Sequence, residues 1–574
     1  MENKQIANFF AEIAELLELQ GENPFRIRSY QNAARIFGDM SESVVTMVRS
    51  GQDLREIPGI GEGISKKIIE IVQTGKLRFL EEQRAKVPAG LPELLRIEGL
   101  GPKKVKLFYD KLHIDSLDKL EEAAKAGKLR ELEGMGAKSE EKIVKGIATL
   151  RRGLGRFKLS VGLSYADALV DYLKKVKGVK RLEPSGSLRR RCETVGDLDI
   201  LAICAKDSPL MEKFTTYDDV EEVIAKGETK SSVRLRCGLQ VDVRVLETGS
   251  FGSGLQYFTG SKAHNIALRS RANDRGLKLS EYGVFEIQSD KKVAGKSEEE
   301  VYKVLDLPLI PPELREDRGE IEAAEKGELP KLIELSDIRG DLQMHTKESD
   351  GKDTIEEMVE AAKKLGYEYI AITEHSKAVR IANGLDEKRL AEHLKRIDKV
   401  NGKLSGFRVL KGIEVDILAD GSLDLADDIL KECEVVVASV HSRFNMEEKE
   451  MTDRIIRALK NPNVNFLGHP TGRLILEREP YKLDLKEVVK AAIDNNVIVE
   501  INAYPDRLDL RDVDARMAKE MGAKLSISTD AHSKVQLDMM KYGVFTARRA
   551  WLEAKEVVNA LPLARLLKAV GKDR

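Results

Sequence analysis

The sequence predicts a multi-domain chain with an α-helical N-terminal part, an α+β middle and a C-terminal barrel of alternating strands and helices. Three observations predict it. The chain has 574 residues, which at roughly 100–200 residues per domain implies several folded units. Up to about residue 150, apolar residues recur at helical spacing, as in IANFFAEIAELLEL and SKKIIEIVQ. Beyond Asp337, short β-branched runs alternate with charged amphipathic helices, the βα-repeat pattern. Hydrophobic residues make up 42% of the chain and charged residues 34%, so ordinary cores can form and global disorder is excluded. No apolar run approaches the ~20 residues of a membrane helix. The opening stretch carries acids through its apolar run, unlike a signal peptide. Cys192, Cys204, Cys237 and Cys433 form no C-x-x-C pair and are read as small apolar residues, which points to a reducing cytoplasm. The formal net charge of −1 conceals a basic middle, with 29 basic against 24 acidic residues in 151–315. Such totals do not decide whether nucleic acid is a partner, because local patches do.

Within the helical region a single pattern occurs three times: IPGIGEGISKKI (57–68), IEGLGPKKVKLF (97–108) and LEGMGAKSEEKI (132–143). Each copy is an apolar residue, a G-x-G turn and a lysine-bearing helix start. The glycine pairs Gly59/Gly61, Gly99/Gly101 and Gly134/Gly136 permit a tight turn whose N–H groups, with those of the next helix N-terminus, suit a phosphate. One G-x-G would be a plain connector. Three copies in one segment favour binding of a phosphate backbone and resemble the helix-hairpin-helix motif, which grips DNA without reading sequence.

From Arg151 to about Pro312 strands and helices alternate. In PSGSLRRRCETVGDLDILAI, Asp197 and Asp199 lie two apart at the start of an apolar strand and so share a face. Asp242, in LQVDVRVL, lies in a second apolar strand that can pair alongside. Three clustered carboxylates repel unless cations intervene, and hard oxygen ligands of this kind suit Mg²⁺ or Mn²⁺. Two such ions can clamp the attacking and leaving oxygens of a phosphoryl transfer. Asp-x-Asp alone would be turn chemistry. With Gly186-Ser187 upstream and a third Asp downstream, the set resembles the nucleotidyltransferase superfamily. The block LQYFTGSKAHNIALRSRANDRGLKLSEYGVF (255–285) narrows this to a resemblance to family X DNA polymerases. That resemblance implies sugar contacts from Tyr257 and Phe258 within the motif that Gly260 continues, a base contact from Asn265 and a template contact from Arg269. It also implies triphosphate contacts from Ser187 and Arg190, and a backbone contact from Gly196. Lys262 stands where some relatives carry an acid. The resemblance extends to NPFRIRSYQNAARIF (23–37), similar to the family's small lyase domain, where a lysine amine attacks an abasic-site aldehyde. Lys67 falls at the matching position, either as that amine or as a lysine that grips DNA, and Gly63 replaces a basic neighbour one turn earlier.

Five of the eight histidines lie at or just after apolar strand ends beyond residue 340. With three acids they form the set His345, Asp350, His375, Glu414, His441, His469, Asp530 and His532. In a βα barrel the C-terminal strand ends converge on one face. A mixed His and carboxylate set of this size favours two or three Zn²⁺, Mn²⁺ or Fe²⁺ ions. The set resembles the polymerase-and-histidinol-phosphatase (PHP) domain, a distorted seven-stranded barrel with a multi-metal centre. The family's opening His-x-His is here Gln343-Met344-His345. Of the other histidines, His264 should touch DNA or pack, and His113 and His393 should lie at the surface. Trp551 should be core.

Together these resemblances imply a helical lyase-like domain (1–85), a helical fingers-like domain (86–150), a nucleotidyltransferase palm (151–255), a thumb-like domain (256–315), a linker (316–336) and a PHP barrel (337–574). They imply a cytoplasmic, monomeric, DNA-directed DNA polymerase of gap repair. Its partners would be gapped or primer–template DNA and deoxynucleoside triphosphates, with Mg²⁺ or Mn²⁺ at the polymerase site. Its barrel would bind Zn²⁺ or Mn²⁺ and hydrolyse phosphodiesters as a 3′–5′ exonuclease, abasic-site endonuclease or 3′-end processor. The rivals are a phosphoesterase whose front half only binds DNA, a template-independent or RNA-directed transferase, a non-enzymatic scaffold, and a polymerase whose barrel is structural.

Overall fold

A computed structural model of the chain describes residues 3–39, 44–57, 59–95, 97, 100–132, 134–153 and 155–571. The chain divides into two compact units, Met1–Leu154 and Gly155–Ile475 with Glu479–Arg574.

The first unit is helical, and its apolar stripes meet in one cluster that includes Phe10, Phe37, Ile68, Leu94, Phe108 and Ile147. Residues on both sides of the expected 85/86 boundary therefore share a core. Helix Ala137–Gly153 likewise runs through the expected 150/151 boundary. Helix ends follow local chemistry: Ser116 caps Leu117–Lys125 by accepting from Lys119 N–H, and Gly75 closes Glu62–Thr74 at φ 70°.

The second unit begins with a five-stranded sheet. Its spatial order is Val179–Pro184, Asp197–Cys204, Gln240–Val245, Lys230–Leu235 and Val220–Lys226. Asp197–Cys204 and Gln240–Val245 run parallel, and the other neighbours are antiparallel. Helices Leu159–Leu173 and Leu210–Thr215 cover it through Ala166, Leu169, Leu173 and Phe214. Next come helices Phe251–Thr259 and Lys262–Asp274 and a three-stranded antiparallel sheet. The first of these helices crosses the expected 255/256 boundary.

The segment 316–336, expected as a linker helix or an exposed connection, is largely exposed but carries a helix with one packed face. Its helix Glu320–Lys326 buries Ile321 and Ala324 in the same cluster as Leu268, Val301 and Tyr302. Its charge misled the sequence reading, because Glu320, with no exposed surface, is hydrogen-bonded to His264 at 2.6 Å.

The last part is a barrel of seven strands in chain order, every neighbouring pair parallel. Beyond the first and last strands Met344 bridges Ala531, and His345 N–H donates to Ala531 C=O at 2.8 Å, joining the two edges. The strands alternate faces with period two. Tyr369 and Ala371 pack with Leu410, Val437 and Phe466, whereas Ile370 and Ile372 pack against the helices. Among the described residues no helix is long and apolar enough to cross a membrane.

Candidate active sites and nucleic-acid interface

The described residues of the three G-x-G segments fold alike. In each, an N–H three residues on closes a turn: Ile60 onto Ile57, Leu100 onto Ile97 and Met135 onto Leu132, all at 3.0 Å. Gly59 and Gly134 take φ of 90° and 76°, which a side chain would resist. Gly61 and Gly101 are the N-caps of their helices, and Gly136 C=O accepts from Ser139 and Glu140 N–H at the third helix start. Gly99 lies outside the described residues. Lys67 sits half-buried in a pocket of about 320 Å³ with Arg26, Ser29, Tyr30 and Asn32. Its ammonium lies 4.8 Å from the Phe79 ring centre and 5.9 Å from that of Tyr30. Burial, helped by Arg26, lowers its pKa, which raises the fraction of free amine.

In the five-stranded sheet Asp199 lies directly opposite Asp242 on the parallel neighbour, with Asp197 two residues earlier and exposed. Burial, then Asp197 and Asp242, push the Asp199 carboxyl up to about 6. Asp242 is held low despite its burial, because Lys230 stands 2.9 Å away and Ser232 and Gln240 also donate to it. Arg244, 3.6 Å from Asp242, also lies over the Phe258 ring. Excess negative charge at Asp199 beside an already compensated Asp242 is the donor set a hard cation fits.

The Gly-Ser turn is held against this pair. Ser185 N–H donates to Asp199 C=O at 2.8 Å, and Gly186 adopts φ 66°. Ser187 follows in the short helix Gly186–Arg189, and Gly196 directly precedes Asp197. Arg190 donates to the Thr259 carbonyl at 2.5 Å and to Glu316 at 3.0 Å. Tyr257 and Phe258 meet edge to face. Asn265 is buried, donating to the Tyr257 carbonyl and accepting from Gln256. Arg269, on the exposed side of the same helix, donates to Asn265 C=O, and Gly260 caps the preceding helix. His264 packs with no exposed surface, bonded to Glu320 and Tyr302.

At the C-terminal end of the barrel all eight expected side chains meet. Ligand atoms of His345, Asp350, His375 and His532 lie within 4.8 Å of one another, as do those of His375, Glu414 and His441. His469 reaches Glu414 at 3.0 Å, and His345 reaches Asp530 at 3.1 Å. Burial depresses the imidazoles, but Glu414 and Asp416 outweigh it at His441 and hold it up to about 10, and Asp350 and Asp530 hold His532 up to about 9. His345, deep among other imidazoles, falls to about 4. Nδ1 of His345 and His469 and Oε1 of Gln343 are buried without hydrogen-bond partners, and His375 Nδ1 stands 2.8 Å from Glu414 Oε2. Clustered imidazole nitrogens and carboxylate oxygens with unsatisfied members of this kind fit metal ions. The pocket opens toward Asp350, His441 and His532, which are less buried than the rest.

Three further carboxylates, not among the expected residues, support this set. Asp416 accepts from His441 N–H at 3.1 Å, Glu500 accepts from His469 N–H at 2.7 Å, and Glu374 is gripped by Thr346 and Ser349. Their signal was a carboxylate inside or ending an apolar strand, as in RVLKGIEVD and VIVEIN. His393, expected at the surface, is 1% exposed, and both its ring nitrogens lack hydrogen-bond partners, with Glu374 3.9 Å from Nε2. His113 is exposed. Trp551 is partly buried under the Arg516 guanidinium. Cys237 is exposed rather than packed, and Cys433 is buried.

Four stretches of the chain match known families: a helix-hairpin-helix domain over residues 1–77, a SAM-like helix-hairpin-helix tandem over 91–149, the DNA polymerase beta thumb over 254–316 and the PHP domain over 341–504. The DNA polymerase/3′-5′ exonuclease PolX of Bacillus subtilis is 40% identical over 565 residues, covering 98% of each chain. A probable phosphatase of a Thermoanaerobacter species is 29% identical over 216 residues, 36% of this chain and 83% of that protein. One from Acetivibrio thermocellus is 31% identical over 189 residues, 31% of this chain and 73% of its own.

Proposed function

This chain belongs to the family X DNA polymerases that carry a PHP domain, and on that footing we propose that it fills short gaps in damaged DNA and trims 3′ ends at its barrel. It is a DNA polymerase with a PHP-associated 3′–5′ exonuclease activity. The observation that carries the reading is the pairing of Asp199 with Asp242 across parallel strands, beside a Gly-Ser turn bonded to the Asp199 backbone.

In this reading Asp197, Asp199 and Asp242 hold Mg²⁺ or Mn²⁺, which when bound neutralises the triphosphate and lowers the pKa of the primer 3′-OH. Asp242, kept ionised by Lys230, helps draw off the 3′-OH proton. Ser187, Arg190 and the Gly196 backbone receive the triphosphate, and Arg190 does so by turning from Glu316. Tyr257 and Phe258 line the sugar, Asn265 meets the base edge, and Arg269 meets the template. The three G-x-G turns hold the DNA backbone through N–H groups and lysines without reading sequence. At the barrel, the His and carboxylate set would hold two or three Zn²⁺ or Mn²⁺ ions, which supply Lewis acidity for phosphodiester hydrolysis. Asp416, Glu500 and Glu374 keep the ligand loops in place. The protein acts as a cytoplasmic monomer.

A second activity is favoured by Lys67. Its amine, partly desolvated beside Phe79, would add to the aldehyde carbon of an incised abasic sugar, expel water to form an imine, and allow β-elimination of the strand phosphate.

The test uses a 5′-labelled primer at a one-nucleotide gap with Mn²⁺ or Mg²⁺, with and without dNTPs. Wild type should extend with dNTPs and shorten without them. Asp197→Ala should remove extension alone, and His441→Ala shortening alone. Shortening without extension in the wild type would overturn the polymerase assignment.

A further inference from the structure

The barrel's last long helix, Met540–Arg549, reaches into the polymerase half of its own unit. Arg549 at its end is 8% exposed and makes three hydrogen bonds: to the Arg190 carbonyl at 2.8 Å, to Glu316 at 3.0 Å and to Asp512 at 2.8 Å. The Glu316 oxygen it contacts, Oε1, is also the one that Arg190 Nε contacts at 3.0 Å. One carboxylate oxygen is thus shared by an arginine of the Gly-Ser turn and an arginine of the PHP barrel. Arg318 extends the line by pairing with Asp512 at 3.0 Å. Charges therefore alternate from the turn into the barrel: Arg190, Glu316, Arg549, Asp512, Arg318. The bond to the Arg190 carbonyl also fixes the backbone where the turn leaves its helix, just before Arg191 at φ 58°.

This arrangement gives Arg549 a task that the exonuclease site does not need. Arg190 is held by Glu316 through Nε and by the Thr259 carbonyl through Nη1, and the Glu316 contact opposes its turning to a triphosphate. Arg549 leaves Glu316 with a guanidinium partner when Arg190 turns, so the half-buried carboxylate is not stranded. Without Arg549, the negative charge of Glu316 would bind Arg190 the more tightly and compete with the nucleotide.

We propose that Arg549 of the PHP barrel is a positioning residue for nucleotidyl transfer, holding Glu316 and the Arg190 backbone so that the Arg190 guanidinium is free for the incoming triphosphate. The proposal rests on the reading of Arg190 as a triphosphate contact. It makes the barrel a component of the polymerase site through a contact separate from the barrel's own ligands.

Single-nucleotide gap filling by the full-length protein tests this, with KM for dNTP, kcat and the 3′–5′ exonuclease rate measured on each preparation. Arg549→Ala should raise KM for dNTP roughly tenfold, the scale of coupling between contacting charged groups, with kcat and exonuclease rate little changed. Adding Glu316→Gln to Arg549→Ala should restore most of the affinity, because the competing charge is gone. A purely structural loss would be worsened by that second change. Arg190→Ala is the control. If it raises KM while Arg549→Ala does not, the positioning role is wrong and the Arg190 reading stands. If Arg190→Ala leaves KM unchanged, the Arg190 reading itself fails. Should Arg549→Ala lose both activities, Arg549→Met keeps the packed stem while removing the charge, and with exonuclease retained an unchanged KM in that variant would overturn the proposal.

Discussion

Replacing Gln343 tests whether the barrel is a working centre despite its departure from His-x-His. Its side chain divides its duties: Nε2 donates to Glu414 Oε1 at 3.1 Å, while Oε1 is buried with no hydrogen-bond partner. Glu414 is the hub of the pocket, within 3.0 Å of His469 Nε2, 2.8 Å of His375 Nδ1 and 3.4 Å of His441 Nε2. A hydrogen bond to an ionised acceptor is worth about 1.5–3 kcal/mol, which corresponds to roughly 10–100-fold in a binding constant. Loss of a partner that orients a metal ligand costs about the same factor. Gln343→Ala should therefore shift the Mn²⁺ concentration that half-saturates exonuclease activity upward by roughly 10–100-fold. Gln343→His, which supplies the imidazole the family uses, should shift it below the wild-type value. The assay is digestion of a 5′-labelled single strand over graded Mn²⁺, with primer extension by the same preparation as the folding control. An unchanged midpoint in Gln343→Ala, with extension intact, would show that Gln343 neither orients Glu414 nor contributes to the metal site.

Gly186→Ala should strike the polymerase site alone. At φ 66° a side chain costs about 1–2 kcal/mol, and the new methyl would stand 3.3 Å from Asp199 Oδ2. Extension should fall at least about tenfold with exonuclease unchanged, and full extension would refute the packing argument. Buried His393 has its pKa pulled down to about 4, by burial first and then by Arg396 and Arg389. Its folded pKa lies below the unfolded value, so its contribution is complete above pH 6.5 and is lost as pH falls toward about 4, by up to ~3 kcal/mol. His393→Leu, which sacrifices no hydrogen bond, should flatten the fall in the barrel's melting temperature between pH 7 and 5, and an equal slope in both proteins would refute this. For Lys67, borohydride should trap wild type, and not Lys67→Ala, on an incised abasic site. Equal trapping in both would assign the amine elsewhere.

The three G-x-G turns were legible because their need is local: a closing N–H and a helix start lie within six residues, with a left-handed glycine at Gly59 and Gly134. The barrel was legible for a related reason, since parallel strands put every C-terminal end on one face whatever the loops do. His393 was misread although its signal was present. In EKRLAEHLKRIDKVN the positions 390, 393, 394, 397 and 400 form one stripe, and the surrounding charge drew attention to the wrong face. The segment 316–336 failed for a deeper reason. Two of its acids are taken from solvent by partners elsewhere in the chain: Glu320, buried against His264, and Glu316, half-buried against Arg190 and Arg549. A charged residue buried by a partner more than fifty or two hundred positions away has the same local sequence as one in solvent. The two active sites differ in how they handle charge, and this bears on what the sequence can foretell. The barrel surrounds its carboxylates with imidazoles at strand ends, a set visible residue by residue. The candidate polymerase site offsets Asp242 with Lys230 and Arg244, and holds Arg190 against a carboxylate shared with the barrel. Its acids are visible in the sequence, but the cations beside them only in the fold.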